Sequence, residues 1–180
     1  MNIRLISGKF GGRSIACPPS DRTTHPMGER IRGSLFNILG DISGFRVLDA
    51  FAGTGSLGLE SLSRGAASAT FLERDKAAQK TIAANITTLG LTDNSSLIRT
   101  SVTAWDETTK DEQFDIIFAD PPYHDLQLST VARLVKHLKP NGLMVLSYPG
   151  RESVPTVNGV VVVDNRSYGD AALAFYRPVA

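Results

Sequence analysis

The sequence predicts an α/β fold of the doubly wound, Rossmann-like kind, a mostly parallel sheet closed by a C-terminal antiparallel hairpin. Three observations predict it. The strand-like run Val47-Leu-Asp-Ala-Phe51 opens into Ala52-Gly-Thr-Gly-Ser-Leu-Gly58, which satisfies G-x-G-x-x-G at Gly53, Gly55 and Gly58, and then into the helical pattern Leu59-Glu-Ser-Leu-Ser63. A second buried run, Phe114-Asp-Ile-Ile-Phe-Ala119, ends in Asp120-Pro-Pro-Tyr123, where open α/β sheets place their chemistry, outside the carboxyl ends of the strands. Finally, Gly159-Val-Val-Val-Val163 and Ala171-Leu-Ala-Phe-Tyr176 are strand-like and separated only by Asp164 to Asp170, too little for a helical crossover, so they must pair antiparallel.

The elements follow in order. Ile3 to Ser7 and Arg13 to Ala16 flank Gly8-Lys-Phe-Gly-Gly12, which reads as a short β-hairpin with a glycine-rich bend and Phe10 at its tip, placed to meet a base or to pack. Cys17-Pro-Pro-Ser20 and Thr24-His-Pro26 form a stiff polar connection, and Glu29 to Leu39 is a helix with Ile31, Leu35, Ile38 and Leu39 on one face. Beyond the glycine turn, Ala69 to Glu73 is the second strand, Lys76 to Ile86 a surface helix by its alanine content and mixed polarity, and Ser96 to Thr100 a third strand followed by a Ser101-Val102 turn. Leu128 to Leu138 has apolar residues at helical spacing, Lys139-Pro-Asn-Gly142 stops it, and Leu143 to Tyr148 is a further buried strand. The chain is expected to be one domain over 1–180, with 1–39 an appendage packed on a core of 40–180.

Length and composition bound the reading. The 180 residues can bury a sizeable single core but are short for two full domains. There is no run of eighteen apolar residues and no N-terminal apolar segment with a small-residue cleavage site, so a cytoplasmic protein without a membrane partner is expected. The single cysteine, Cys17, excludes an intramolecular disulfide, and the scattered His25, His124 and His137 form no recognisable ligand cluster, so no metal is expected. Net charge is only +1, which argues against wholesale coating of nucleic acid. The charge is unevenly divided, however: residues 1–46 carry seven basic against three acidic side chains, a net of +4, and the remainder 12 against 15, a net of −3. An RNA-facing N-terminal segment is the natural inference, with Lys9, Phe10, Arg13, Arg30 and Arg32 as candidate contacts.

The two motifs suit one chemistry. In the tetrapeptide, Asp120 can accept one N–H of an exocyclic amine and the backbone carbonyl of Pro121 another. Pro121 and Pro122 fix φ and hold both acceptors, and Tyr123 offers a ring face for an extruded base. Asp49 ends the strand beneath Ala52-Gly53-Thr54-Gly55, where a carboxylate would repel a pyrophosphate but attract a cationic amino acid moiety. S-adenosylmethionine, with its ammonium and sulfonium, fits that sign. Glu73 lies 20 residues beyond Gly53, the place where such folds hold a ribose diol, and the Ser101-Val102 turn is placed to reach the adenine edge.

These residues also match a family. Gly-Lys-Phe-Gly-Gly-Arg at 8–13, Glu-Arg-Ile-Arg-Gly-Ser-Leu-Phe-Asn-Ile-Leu at 29–39, Asp-Ala-Phe-Ala-Gly-Thr-Gly-Ser-Leu-Gly at 49–58, Leu-Ser-Arg-Gly-Ala at 62–66 and Asp-Pro-Pro-Tyr at 120–123 together resemble the bacterial small-subunit ribosomal RNA guanine-N2 methyltransferases, nearly end to end. The resemblance implies a class I methyltransferase fold and an S-adenosylmethionine-dependent enzyme, expected to be a monomer. Its substrate would be one guanine, conventionally position 966 of 16S ribosomal RNA, in an assembled or assembling small subunit. It puts cofactor contacts on Asp49, Gly53, Gly55 and Glu73 and the catalytic motif on Asp120 to Tyr123. Two departures are visible. Ser101-Val102-Thr103 stands where many relatives carry an acid, which shifts adenine contacts to main chain, and Gly33-Ser34 stands where relatives often show Glu-Ala.

Two other classes of function share these features. A DNA adenine-N6 methyltransferase has the same tetrapeptide and glycine turn but usually needs an inserted target-recognition region, for which there is no visible room. A non-catalytic RNA-binding or ribosome-assembly factor would keep the fold as a scaffold, against which the intact Asp49 and Asp120 argue.

Overall fold

A computed structural model describes residues 2–18 and 27–179; most of the polar connection read at 17–26 therefore lies outside the described residues. The order of elements is β1 (Asn2–Arg4), β2 (Ser14–Ala16), α1 (Glu29–Leu39), β3 (Arg46–Asp49), α2 (Ser56–Ser63), β4 (Ser68–Leu72), α3 (Lys76–Leu89), β5 (Ser95–Ile98), α4 (Val102–Thr108), β6 (Phe114–Ala119), α5 (Leu128–Arg133), β7 (Leu138–Pro149), β8 (Val160–Ser167) and β9 (Ala171–Pro178). Seven strands form one sheet in the order β5-β4-β3-β6-β7-β9-β8. The strands from β5 to β7 run parallel, whereas β9 is antiparallel to both β7 and β8. The chain leaves the centre through β3, β4 and β5, then returns to the other side of β3 at β6. The carboxyl ends of β3 and β6 thus meet at the point where strand order reverses, the position of a ligand crevice in such sheets.

Local chemistry explains the main elements. The central strands read as near-continuous apolar runs because both faces are covered: Val47, Leu48, Phe71, Ile116, Ile117 and Phe118 are all buried. Asp75 caps α3, its side chain accepting from the Ala78 N–H at 2.9 Å, and Gly90 ends that helix in the left-handed region at φ 68°. Ser101 likewise caps α4, a helix the sequence reading had as a simple turn.

The N-terminal hairpin is strapped to the core by buried side chains of α2. Glu60, fully buried, accepts from the backbone N–H of Ile6 at 2.9 Å and of Ser7 at 3.1 Å. Ser63 Oγ accepts from the Phe10 N–H at 2.9 Å and donates to the Ser7 carbonyl at 2.6 Å. The second strand is held by Asn85 of α3, which accepts from the Ala16 N–H and donates to its carbonyl, both at 3.0 Å, as a neighbouring strand would. Phe10 consequently does not project toward a partner. It is 7% exposed and packs with Ile3, Leu5, Ile15, Leu59 and Leu62.

Two further expectations change. The helix from Leu128 stops at Arg133, and a 3-10 turn at Val135–His137 delivers the chain into β7 five residues early. His137 is fully buried with ring nitrogens on the Glu112 carbonyl at 2.9 Å and Asp106 at 2.8 Å, and that anchoring fixes where the turn ends. Lys139 to Gly142 then form an irregularity inside β7, since Phe114 pairs with Leu138 but Ile116 with Leu143. At the C-terminus, β8 continues through Asp164, Asn165, Arg166 and Ser167 rather than ending at Val163. No helix among the described residues is long and apolar enough to cross a membrane.

Candidate active site

The glycine turn after β3 is closed upon itself by carboxylates. Gly53 and Gly55 lie at φ 57° and 79°, a region L side chains rarely adopt, and a Cβ on Gly55 would also stand 3.2 Å from Ile82. Gly58 has a different reason: a Cβ there would land on the Phe71 ring, so α2 approaches β4 closely only because the side chain is absent. Asp49 is 1% exposed and accepts from the Gly58 N–H at 3.0 Å. Glu73 accepts from the Gly53 N–H at 2.7 Å with one oxygen and from the Asp75 N–H at 2.8 Å with the other. Ala52, Thr54 and Gly55 are buried within the same turn, and Thr54 Oγ1 accepts from the Ser56 N–H at 3.3 Å.

One Asp49 oxygen thus meets the chain's own backbone, which fixes the carboxylate beneath the glycine turn. Burial pushes its pKa well above the ordinary value. The Gly58 N–H pulls it back, and the charges of Asp120 and Glu73 push it up again. Three carboxylates within electrostatic reach of one another make a site that favours a cation.

The tetrapeptide follows β6 directly. Burial raises the Asp120 pKa from 3.8 to about 6, against the opposing effect of a hydrogen bond to Ser147. Pro121 is buried and Pro122 half-buried. The Pro122 carbonyl accepts from the Asp125 N–H at 3.0 Å, while among the described residues no hydrogen bond is made to the Pro121 carbonyl. Tyr123 is 39% exposed, and its hydroxyl lies 2.6 Å from Ser147 Oγ on β7. Burial raises the Tyr123 pKa first, with Ser147 lowering it and Asp120 raising it. Met27, Leu35 of α1, Leu57 and Leu173 pack beneath Asp120 and Ser147, leaving no room for a water there.

Ser147 is the residue that sequence reasoning missed here. It is the lone polar residue of the apolar run Leu143 to Tyr148 and is 4% exposed; a polar group inside a buried strand was the available signal. Ser101 and Val102 stand at the end of β5 as expected, but the Ser101 hydroxyl accepts from the Ala104 N–H at 3.2 Å and Val102 is 4% exposed in the core. The Val102 side chain is thereby withdrawn from the surface, leaving its main chain and half-buried Ser101 beside the end of β5.

The basic candidates divide. Lys9 and Arg13 are exposed, with charges 5.5 and 5.7 Å from the Phe10 ring centre, and Arg30 is exposed 6.0 Å from the Tyr168 ring. Arg32 is 1% exposed, and its Nη2 donates to the Arg4 carbonyl at 2.8 Å. It is held inside by the hairpin and near Glu60, so it is not placed to contact RNA. Among the described residues no three His, Cys, Asp or Glu side chains converge as metal ligands.

This strand order, with a terminal antiparallel hairpin and a glycine turn opposite an Asp-Pro-Pro-Tyr motif, defines a class I methyltransferase, a class whose cofactor is S-adenosylmethionine. The model of the family described as Conserved hypothetical protein 95 matches residues 3–177. A ribosomal RNA small subunit methyltransferase D from Buchnera aphidicola (subsp. Acyrthosiphon pisum) is 36% identical over 84% of this chain and 81% of its own length. Another of that name, from Haemophilus influenzae, is 30% identical over 97% of this chain and 93% of its own. Among solved structures, the yhhF protein of Escherichia coli matches with TM-score 0.88 at 31% identity, covering 100% of this chain and 99% of its own. The chain belongs to the ribosomal RNA small subunit methyltransferase D family.

Proposed function

We propose that the protein transfers a methyl group from S-adenosylmethionine to the N2 amine of one guanine, conventionally position 966, in 16S ribosomal RNA of an assembled or assembling small subunit, in the cytoplasm. The observation that carries this reading is the juxtaposition of Asp120, at the end of β6, with the carboxylates of Asp49 and Glu73 at the neighbouring ends of β3 and β4. A cationic donor and a neutral amine acceptor are the reactants such a pocket suits.

The turn fits the donor. Gly53 and Gly55, both at positive φ, let the chain turn tightly from β3 into α2 so that main chain lines the cofactor's side of the turn. Asp49 acts by holding the Gly58 N–H, which fixes the start of α2, and by its negative charge. Glu73, bound to the Gly53 N–H, is placed for the ribose diol, and the main chain of Ser101 and Val102 for the adenine edge. Bound there, S-adenosylmethionine would supply a methyl group on a sulfonium centre, the new N–C bond replacing the S–C bond and leaving a neutral thioether, while the proton lost from the amine would pass to the Asp120 carboxylate and on to solvent.

On the acceptor side, Asp120 and the Pro121 carbonyl take the two amine N–H groups and turn the nitrogen lone pair toward the methyl group, and Asp120 disperses the positive charge that develops on nitrogen. Pro122 keeps the backbone in the extended form that presents both acceptors. Tyr123 stacks on the flipped base, held at its edge by Ser147. Incubation with labelled S-adenosylmethionine and small subunits lacking the modification, with the product nucleoside identified, tests the proposal. N2-methylguanosine is expected, and labelled N6-methyladenine in DNA instead would replace it.

A further inference from the structure

Away from the Asp120 tetrapeptide, an open groove of about 960 Å³ lies between the N-terminal appendage and the C-terminal hairpin. One wall is a single face of α1, Arg30, Gly33, Ser34 and Asn37, at the spacing of neighbours on a helix surface. Arg4 of β1 and Arg166 of β8 stand at the other walls, so three arginines face one carboxylate, Glu29. Sequence reading had no part of the C-terminal hairpin in substrate contact; the fold brings it there. The bend after β8 is pinned to the helix, with Tyr168 Oη 2.5 Å from Ser34 Oγ and the Arg30 guanidinium 6.0 Å from the Tyr168 ring.

We infer that this groove holds the phosphodiester backbone of the RNA flanking the target nucleotide, with Arg30 and Arg166 as its principal phosphate contacts; the inference rests on the RNA methylation reading given above. Small-molecule sites are lined mostly by apolar and aromatic side chains with few polar groups, whereas this groove is open and rimmed by guanidinium groups, which suit phosphate oxygens in a bidentate manner. The partners these arginines already have do not compete strongly. Arg166 meets Asp164 at 3.1 Å and Arg4 meets Glu29 at 3.0 Å, both pairs with side chains 41% exposed or more, and exposed pairs of this kind are worth about 0–1 kcal/mol. Continuity with the chemistry comes from α1 itself. Ser34 lines the groove, while its neighbour Leu35 is fully buried and packs against the core around Asp120 and Ser147, so one helix, about 10 Å across, joins the groove to the tetrapeptide's support. A strand lying in the groove can thus present a neighbouring base to the tetrapeptide.

The test compares Arg30→Ala/Arg166→Ala with the parent and with Lys80→Ala/Lys110→Ala, which removes two exposed charges elsewhere. Binding to small subunits lacking the modification is measured across a salt series, alongside calorimetric affinity for S-adenosylmethionine. Losing two single-strand phosphate contacts should reduce the slope of log K against log salt by about 1.4 and weaken binding roughly tenfold at low salt. Cofactor affinity should be unchanged in all three proteins, and the control variant should keep the parent's slope. A groove variant with the parent's affinity and slope, or equal losses in both variants, overturns the groove while leaving methylation intact. A parent that neither binds nor methylates the subunits overturns the functional reading, and the groove with it.

Discussion

The glycine turn after β3 and the tetrapeptide after β6 sit at the ends of adjacent parallel strands, but their polar groups are used differently. In the turn, Asp49 and Glu73 already hold the N–H groups of Gly58, Gly53 and Asp75, so the loop is set before any ligand arrives. In the tetrapeptide, no hydrogen bond among the described residues reaches the Pro121 carbonyl, and Tyr123 stays partly exposed, with only its hydroxyl fixed by Ser147. A preorganised turn favours tight binding of an invariant small molecule, whereas an open acceptor pair favours a base that must be extruded, methylated and returned. Substitutions should divide accordingly, affinity and stability on one side and turnover on the other.

The largest effect should come from Asp120→Ala, which removes the acceptor on which charge development at nitrogen depends. Turnover on small subunits should fall by on the order of 10²–10³-fold, while calorimetric affinity for S-adenosylmethionine stays near that of the parent. Comparable losses in both quantities would erase the distinction between the two regions.

On the turn side the expected pattern is reversed. Asp49→Ala leaves a buried Gly58 N–H without its acceptor, a cost of about 1–3 kcal/mol in stability, and it should also weaken cofactor binding strongly. Asp49→Asn retains an acceptor oxygen, so it should regain most of the stability but not the affinity that depends on charge. Gly58→Ala sharpens the same comparison through packing alone. Its methyl group must displace the Phe71 ring, which costs about 1–3 kcal/mol by thermal or denaturant unfolding.

The acidity of Asp120 predicts a pH effect of defined sign. An acceptor must be ionised, so the single-turnover rate should rise through a midpoint of about 6, and Asp120→Asn should lose that rise together with most of the rate. Stability runs the other way. Between 3.8 and about 6 the folded protein holds a proton on Asp120 that the unfolded chain has released. Stability from this group is thus fully present below that window and is lost as pH rises through it. Asp120→Asn should therefore stabilise the fold more at neutral pH than near pH 4, as read from unfolding midpoints.

How much of this was legible in the sequence depends on the range of the interaction. The glycine turn, the strand ending in Asp120 and the antiparallel C-terminal pair were readable because each is a local pattern whose periodicity or spacing has one physical meaning. The helix Glu29–Leu39 was recovered with the same limits. What failed depended on contacts remote in the chain. Phe10 and Arg32 looked like RNA contacts by residue type, but Ser63 and Glu60, more than 50 and nearly 30 residues away respectively, draw their surroundings into the core. The early end of α5 depends on His137 reaching Asp106, and the role of Ser147 depends on β7 lying beside β6. None of these pairings has a local signature.

The smallest effect concerns the hydroxyl of Tyr123. Stacking needs only the ring, so Tyr123→Ala should cost about 1–3 kcal/mol of base stabilisation, whereas Tyr123→Phe loses one hydrogen bond, about 0.5–1.5 kcal/mol, and Ser147→Ala loses that bond together with the one to Asp120. Because the bond lost in Tyr123→Phe is already lost in Ser147→Ala, the double variant should cost little more than Ser147→Ala alone. Additive losses in single-turnover rate would mean that Ser147 and the hydroxyl act separately on the substrate.

The most direct test of the account is to offer labelled S-adenosylmethionine to the parent protein with small subunits lacking the modification, free 16S ribosomal RNA and duplex DNA in parallel, and to map the label. One labelled guanine, methylated at N2, in the small subunits and much less in naked RNA is the predicted result. Label on an adenine amine in DNA, or none in any substrate despite bound cofactor, would contradict it.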